Sequence, residues 1–367
     1  MPGMATNSGL EGVVVAETAI SDVDGERGRL VIRGYEAETL ADSLTFEETC
    51  FLLWSGTIPD SNERTVMRAK FGLARQAAFE VLSRFAPVAA LHADAMDALR
   101  TYMSLFSGNT ESMIDEYVRL SAAVGVFVGN WSRLRASGPL IPPDEGASQS
   151  ADILRMLGGA AQPDAYARAL DTYLTTVSDH GMNASTFTCR VVASTASDNV
   201  SCLVAGIGAL KGPLHGGAPG PVLKMLDEIR TPENAESWIL NELNSGRRIM
   251  GMGHRIYRVR DPRAAIFQAA LARLADADVP VPRLQLALAV EQTAERILRE
   301  RYPERQLKAN VEFFTAVLLD AVGIPSELFT PTFAAGRVAG WCAHISEQRK
   351  SNRIIRPASK YVGGYRG

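Results

Sequence analysis

Beyond an N-terminal hairpin, the chain carries no run of alternating apolar and polar residues. Apolar positions recur every three or four residues instead, the spacing of one helix face. That rhythm predicts a mostly α fold. Phe46 to Ser55 has helical spacing and meets a stop at Gly56, with Pro59 just beyond. Asp115 to Val128 and Ala165 to Val177 repeat the pattern, and Arg283 to Arg301 places Leu286, Val290, Ala294 and Ile297 on one stripe. Asn310 is a good N-cap for a helix running through Val322 to Gly323 and Pro325. Only residues 10–33 look β. Val13 to Val15 is a β-branched run, Asp24-Gly25 and Arg27-Gly28 are turn signals, and Leu30-Val31-Ile32 follows. The Gly-, Pro- and Ser-rich stretch Arg135 to Gln149 reads as a surface loop.

Bulk properties exclude more than they identify. At 367 residues the chain fits two domains with ample core. A net charge of −3 gives no reason to expect nucleic acid or an anionic membrane as partner, so any anion must be bound by local arginines. The four cysteines, Cys50, Cys189, Cys202 and Cys342, are scattered without a Cys-x-x-Cys. They read as reduced core thiols of a cytoplasmic protein, not a disulfide framework or zinc knuckle. The N-terminus lacks a basic region followed by an apolar run, so no signal peptide is expected. No apolar stretch of membrane-spanning length occurs.

Chemistry concentrates in two glycine-rich runs. One is Lys211-Gly212-Pro213-Leu214-His215-Gly216-Gly217; the other is Gly251-Met252-Gly253-His254-Arg255, followed by Asp261-Pro262-Arg263. Only five histidines occur, and two of them sit among glycines. Glycine lets backbone approach a ligand closely, and an imidazole exchanges protons near neutral pH. His215 can be a turn histidine that bonds backbone, or a neutral imidazole that handles a proton at a carbonyl oxygen. The Gly-x-Gly before His254 suits backbone N–H groups facing a cavity. Asp261, Pro262 and Arg263 read as N-cap, N1 and N2 of a helix, where Arg263 adds a fork to a site for carboxylate or phosphate.

Glu312 lies just inside the helix that starts after Asn310, whose positive end favours the ionised form. It is a candidate base or a simple dipole compensator. His180 precedes a Ser/Thr-rich helix, and Arg337 sits among small residues, where burial would demand an anionic partner. Arg356 alone looks like a tail charge, and His92 and His344 are left structural. No histidine pair has metal-ligand spacing, and neither a P-loop nor a strand-borne Gly-x-Gly-x-x-Gly is present. Nucleotide phosphoryl transfer and nicotinamide chemistry are therefore disfavoured.

Taken in order, these motifs resemble the citrate synthase family. The likeness starts at Gly9-Leu10-Glu11-Gly12-Val13 and Gly34-Tyr35, and passes through Phe46-Glu47-Glu48 and Met96-Asp97-Ala98-Leu99-Arg100. It continues through His180-Gly181-Met182-Asn183-Ala184-Ser185-Thr186-Phe187, both histidine runs and Asn310-Val311-Glu312-Phe313, to Ile355-Arg356-Pro357. The resemblance implies an all-α, two-domain homodimer. Residues 215–319 would form the small domain, and 1–214 with 320–367 the large one. It implies catalytic roles for His215, His254 and Glu312, a dicarboxylate clamp of His180, Arg263 and Arg337, and Arg356 reaching the partner's site. Gly251, Met252 and Gly253 would lie against the coenzyme. Oxaloacetate and acetyl-CoA would be the partners, the latter a co-substrate, with no metal and no other cofactor.

Two positions depart from the family pattern. Glu312 replaces the usual aspartate, and the extra methylene moves the carboxylate by about an ångström. Gly181 stands where many members carry glutamate after the histidine. The reading is therefore a citrate-forming acyltransferase. Its alternatives are a 2-methylcitrate synthase using propionyl-CoA and a ligand-binding member with little catalysis. Lys350, Arg353 and Lys360 are further candidates for coenzyme phosphate contacts.

Overall fold

The computed structural model describes residues 9–10, 12–107, 112–216, 219–254, 256–257, 259–351 and 353–364. Strands β1 (Ser21–Asp24) and β2 (Arg29–Ile32) form an antiparallel hairpin with Asp22 opposite Val31, and the two-residue β3 (Tyr35–Glu36) extends it. Helices α1 (Ala37–Ser43), α2 (Phe46–Ser55), α3 (Ser61–Ala89), α4 (Ala95–Met103) and α5 (Met113–Arg135) follow. Next come α6 (Gln149–Gly158), α7 (Asp164–Val177), α8 (Ala184–Ala193) and α9 (Asn199–Leu210). The last six are α10 (Pro219–Ile229), α11 (Ala235–Asn244), α12 (Pro262–Asp276), α13 (Leu284–Arg301), α14 (Val311–Ala321) and α15 (Phe329–Ser351).

Local chemistry sets these boundaries. The α2 start is a full capping box, with the Thr45 hydroxyl and the Glu48 carboxylate each accepting the other residue's backbone N–H. Such a cap contributes about 1 kcal/mol. Asn310 caps α14 and Asp261 caps α12, as their positions imply. Helix α15 is the hub. It packs against α2, α5, α7, α8 and α9, so small or apolar residues occupy all its faces and no single apolar stripe is visible. Core side chains from Ile20 to Ile345 form one cluster. Each fully buried phenylalanine, Phe46 or Phe127 for example, contributes about 1.5–3 kcal/mol by leaving water. The four cysteines are buried and unbridged.

The Val13 to Val15 strand does not form. Those residues are irregular and largely exposed, Val14 at 86%, because no neighbouring strand among the described residues supplies ladder partners. The hairpin instead starts at Ser21, where β2 offers a pairing edge, and turns through Gly25 to Gly28. That turn touches the second histidine loop. A Cβ on Gly25 would stand 2.4 Å from the Ile256 carbonyl oxygen, which no side chain tolerates without backbone movement.

Replacing Gly25 by Ala should therefore destabilise the protein by about 1–3 kcal/mol, the usual cost of overpacking. Gly208→Ala is the matched control. A Cβ there meets nothing within 4 Å, so removing a mid-helix glycine should be neutral or stabilising by about 0.5–1 kcal/mol. Urea unfolding of both variants reads the difference; equal midpoints would show that the hairpin tip is not tightly seated.

Candidate active site

The loop carrying His254 and the helix carrying Glu312 are built on one another. Gly251 and Gly253 have φ of 74° and 84°, and a Cβ on Gly251 would meet the Phe313 side chain at 2.8 Å. The Asn310 N–H donates to the Gly251 carbonyl (2.9 Å), and Asn310 Nδ2 donates to the Gly253 carbonyl (2.9 Å). Asn310 Oδ1 accepts the Glu312 N–H at 3.0 Å. One side chain thus ties the loop and caps the helix that presents the carboxylate. The Gly253 N–H does not face a cavity as the spacing implies. It donates to the Lys308 carbonyl at 2.7 Å, because loop and segment pair as a short antiparallel bridge.

His254 has a defined tautomer. Its Nδ1 accepts N–H bonds from Ile256 (2.9 Å) and Tyr257 (3.1 Å), so the neutral ring carries its proton on Nε2. That nitrogen lies 3.5 Å from Arg263 Nη2 and 3.8 Å from Asp261 Oδ2. Two N–H donors cannot bond each other; an oxygen acceptor between them would satisfy both. Asp261 holds Arg263 in a bidentate pair, Nε to Oδ1 at 3.0 Å and Nη2 to Oδ2 at 2.8 Å, with both side chains buried. Burial first, and Arg263 second, lower the His254 pKa to about 4.

His215 is pinned in the complementary way. Its Nε2 lies 2.8 Å from Ser185 Oγ and 3.4 Å from the Ser185 N–H, in the first turn of α8. A ring nitrogen that faces an N–H at a helix N-terminus is an acceptor, which puts the proton on Nδ1. With Nε2 an acceptor, the single Ser185 hydroxyl proton turns to it, while Asn183 Oδ1, 2.8 Å from Oγ, accepts the Thr186 N–H at 3.1 Å and Trp341 Nε1 donates to Oγ at 3.2 Å. Burial, then Arg337, lower the His215 pKa to about 4.

His180 is 6% exposed and stands next to His254, ring centroids 6.1 Å apart. Its Nε2 lies 3.0 Å from the hydroxyl of Tyr257, a residue that sequence reasoning missed. Burial, followed by Arg263 and Arg337, holds the ring well below the ordinary imidazole range. Arg337 is 1% exposed. Its Nε donates to the Val177 carbonyl (2.7 Å) and its guanidinium lies 4.6 Å from the Phe333 ring centroid. Nη2 has no hydrogen-bond partner, and among the described residues no carboxylate forms an ion pair with Arg337. Burial lowers its pKa to about 10.

Glu312 is partly buried, and its carboxylate accepts no hydrogen bond from the described residues. The helix N-terminus does not secure its ionised form as position alone implies. Removal from water dominates and raises the pKa to about 7, against Arg263 and Arg337, which pull it down. These two guanidiniums link the site: Arg337 acts on His215, both act on His180 and Glu312, and Arg263 acts on His254.

Arg356 is not brought to these groups. It is exposed in the irregular segment after α15, as are Arg353 and Lys360, while Lys350 is exposed in the last turn of α15. His344 is fully buried, 3.1 Å from Asp179, and is structural in this sense. Gly217 and Arg255, prominent in the sequence motifs, lie outside the described residues. Among the described residues no cluster of His, Cys, Asp and Glu has the makings of a metal site, and no helix is long and apolar enough to cross a membrane. Tyr257 and Ser185 were the functional neighbours missed. The signal for Tyr257 was its place three residues after His254, in the same loop.

Known proteins share this arrangement of chain. The family model for the citrate synthase C-terminal domain matches residues 9–358. Citrate synthase of Haloferax volcanii is 35% identical, covering 97% of this chain and 95% of its own. A 2-methylcitrate synthase of Shewanella oneidensis is 38% identical, covering 98% and 95%. The crystal structure of citrate synthase from Thermotoga maritima superposes with a TM-score of 0.87 at 32% identity, covering 99% of this chain and 97% of that one. On sequence and on fold, the chain belongs to the citrate synthase family of condensing transferases.

Proposed function

We propose that the chain condenses acetyl-CoA with oxaloacetate and hydrolyses the citryl thioester to citrate and CoA, with Glu312, His215 and His254 doing the chemistry. The observation that carries this reading is a set of two neutral imidazoles with opposite proton placement, beside two buried guanidiniums and an unbonded carboxylate. Glu312 takes the α-proton of acetyl-CoA. A carboxylate with a pKa of about 7 is matched to neutral pH and is a stronger base than an exposed one. His215 donates its Nδ1 proton as a hydrogen bond to the enol oxygen. His254 donates from Nε2 to the ketone of oxaloacetate, whose oxygen the Arg263 Nη2 donor can share.

The enol carbon then attacks the polarised ketone, and the new alkoxide is held where those donors already point. Arg263 and Arg337 bind the two carboxylates, with His180 beside them; a dianion gives Arg337 the ion partner that the protein itself does not. Water then cleaves the thioester. No step requires a metal. The wider reading includes residues 215–319 closing as a small domain on the flanking segments, with Gly251, Met252 and Gly253 against the coenzyme. It also includes a cytoplasmic homodimer in which Arg356 completes the partner's site. The exposure of Arg356, away from its own cluster, supports that last part.

Glu312→Gln keeps the shape and removes the base, so CoA release should fall about 10²–10⁴-fold, with oxaloacetate affinity changed less than about threefold. In the unmutated enzyme, kcat should decline as pH drops through about 7, because the protonated carboxyl cannot accept the α-proton. A variant that kept wild-type turnover would remove Glu312 from the mechanism, and an inactive wild type would favour a ligand-binding role.

The 2-methylcitrate synthase relative gives propionyl-CoA a definite claim as rival. One methylene changes transition-state binding by about 1–3 kcal/mol, so both thioesters should turn over to some degree. The expected result is a kcat/KM for acetyl-CoA about 10- to 200-fold above that for propionyl-CoA. The reverse order in a thiol-release assay would reassign the substrate.

A further inference from the structure

Tyr257 joins the two imidazoles that the proposed function assigns to oxaloacetate. It is 1% exposed. Its N–H donates to His254 Nδ1 at 3.1 Å, and its hydroxyl lies 3.0 Å from His180 Nε2. Its ring stands 4.9 Å from the His254 ring and 5.6 Å from that of His180, centroid to centroid, and the Arg263 guanidinium lies 6.0 Å from its ring centroid. The two histidines come from loops 74 positions apart in sequence, His180 before α8 and His254 before α12. No hydrogen bond joins their rings directly, and among the described residues Tyr257 is the one that bonds both.

We propose that Tyr257 is a positioning residue of the oxaloacetate clamp. Its hydroxyl sets the ring plane of His180 and occupies that ring's Nε2, while its amide sets the tautomer of His254. Without the hydroxyl, the His180 ring loses the one side-chain hydrogen-bond partner it has among the described residues and rotates among orientations, of which only some suit a carboxylate. His254 keeps its backbone donors, because a substitution at Tyr257 leaves the amide in place. Loss of the hydroxyl should therefore weaken substrate binding far more than it slows the chemical step. This inference rests on the proposed reaction, and its test separates the two.

Tyr257→Phe keeps the ring and deletes the hydroxyl. One lost hydrogen bond in a buried site is about a five- to tenfold effect. The KM for oxaloacetate should rise by that factor, with kcat falling less than about threefold and the thermal midpoint nearly unchanged. In a His180→Ala background the same substitution should change KM less than twofold, because its partner is already absent. Calorimetric titration of oxaloacetate into both proteins gives the same comparison without turnover. It keeps the test valid should the proposed reaction fail in the wild-type assay. Unchanged KM and affinity in Tyr257→Phe would overturn the inference. So would an equal loss in the His180→Ala background, which would show that the hydroxyl does not act through His180.

Discussion

Backbone N–H groups aimed at imidazole nitrogens are the constraint on which the site depends. An imidazole that accepts from an amide is neutral, and its proton must sit on the opposite nitrogen. Two amides of the loop after His254 perform this at Nδ1, and the first turn of α8 performs it at Nε2 of His215. The rings become fixed donors at neutral pH without the charge that would compete with the arginines for substrate. Folding supplies this preorganisation in advance, so little reorganisation accompanies the reaction.

Burial and the arginines' charge oppose each other at the carboxylate and reinforce each other at the imidazoles. At Glu312 burial prevails and yields a base matched to neutral pH; at the histidines burial and the guanidiniums act together to keep the rings neutral. The arginines differ in their own support. Asp261 neutralises Arg263 inside the protein, whereas Arg337 bonds a carbonyl and faces an aromatic ring, with Asp179 and Glu312 acting on it through space and no carboxylate among the described residues paired with it. A buried guanidinium without a carboxylate costs stability, and a bound dianion offsets that cost. Placing Arg337 on α15, the helix with the most neighbours, makes the cost bearable because the surrounding packing cannot relax away from it.

Much of this was legible in local sequence. Asp261, Asn310 and the Phe46 to Gly56 helix were readable because caps and stops are decided within four residues. The Val13 to Val15 strand was misread because a strand needs a partner, and β-branching says nothing about whether one is available. The Gly253 N–H was misassigned for a related reason: its acceptor, Lys308, is 55 positions away. Tyr257 went unnoticed since its importance lies in joining His180 and His254, a property of the folded chain. The glycines did signal a site, though partly for another purpose. Gly25 and Gly251 are there because backbone and Phe313 leave no room for a Cβ.

The neutral, oppositely protonated rings can be observed by nitrogen-15 NMR of imidazole-labelled protein. His215 should show its proton on Nδ1 and His254 on Nε2, with neither ring titrating between about pH 5 and pH 8. An imidazolium at neutral pH for either residue, or the reversed tautomer at His254, would contradict the arrangement from which the proposed chemistry follows.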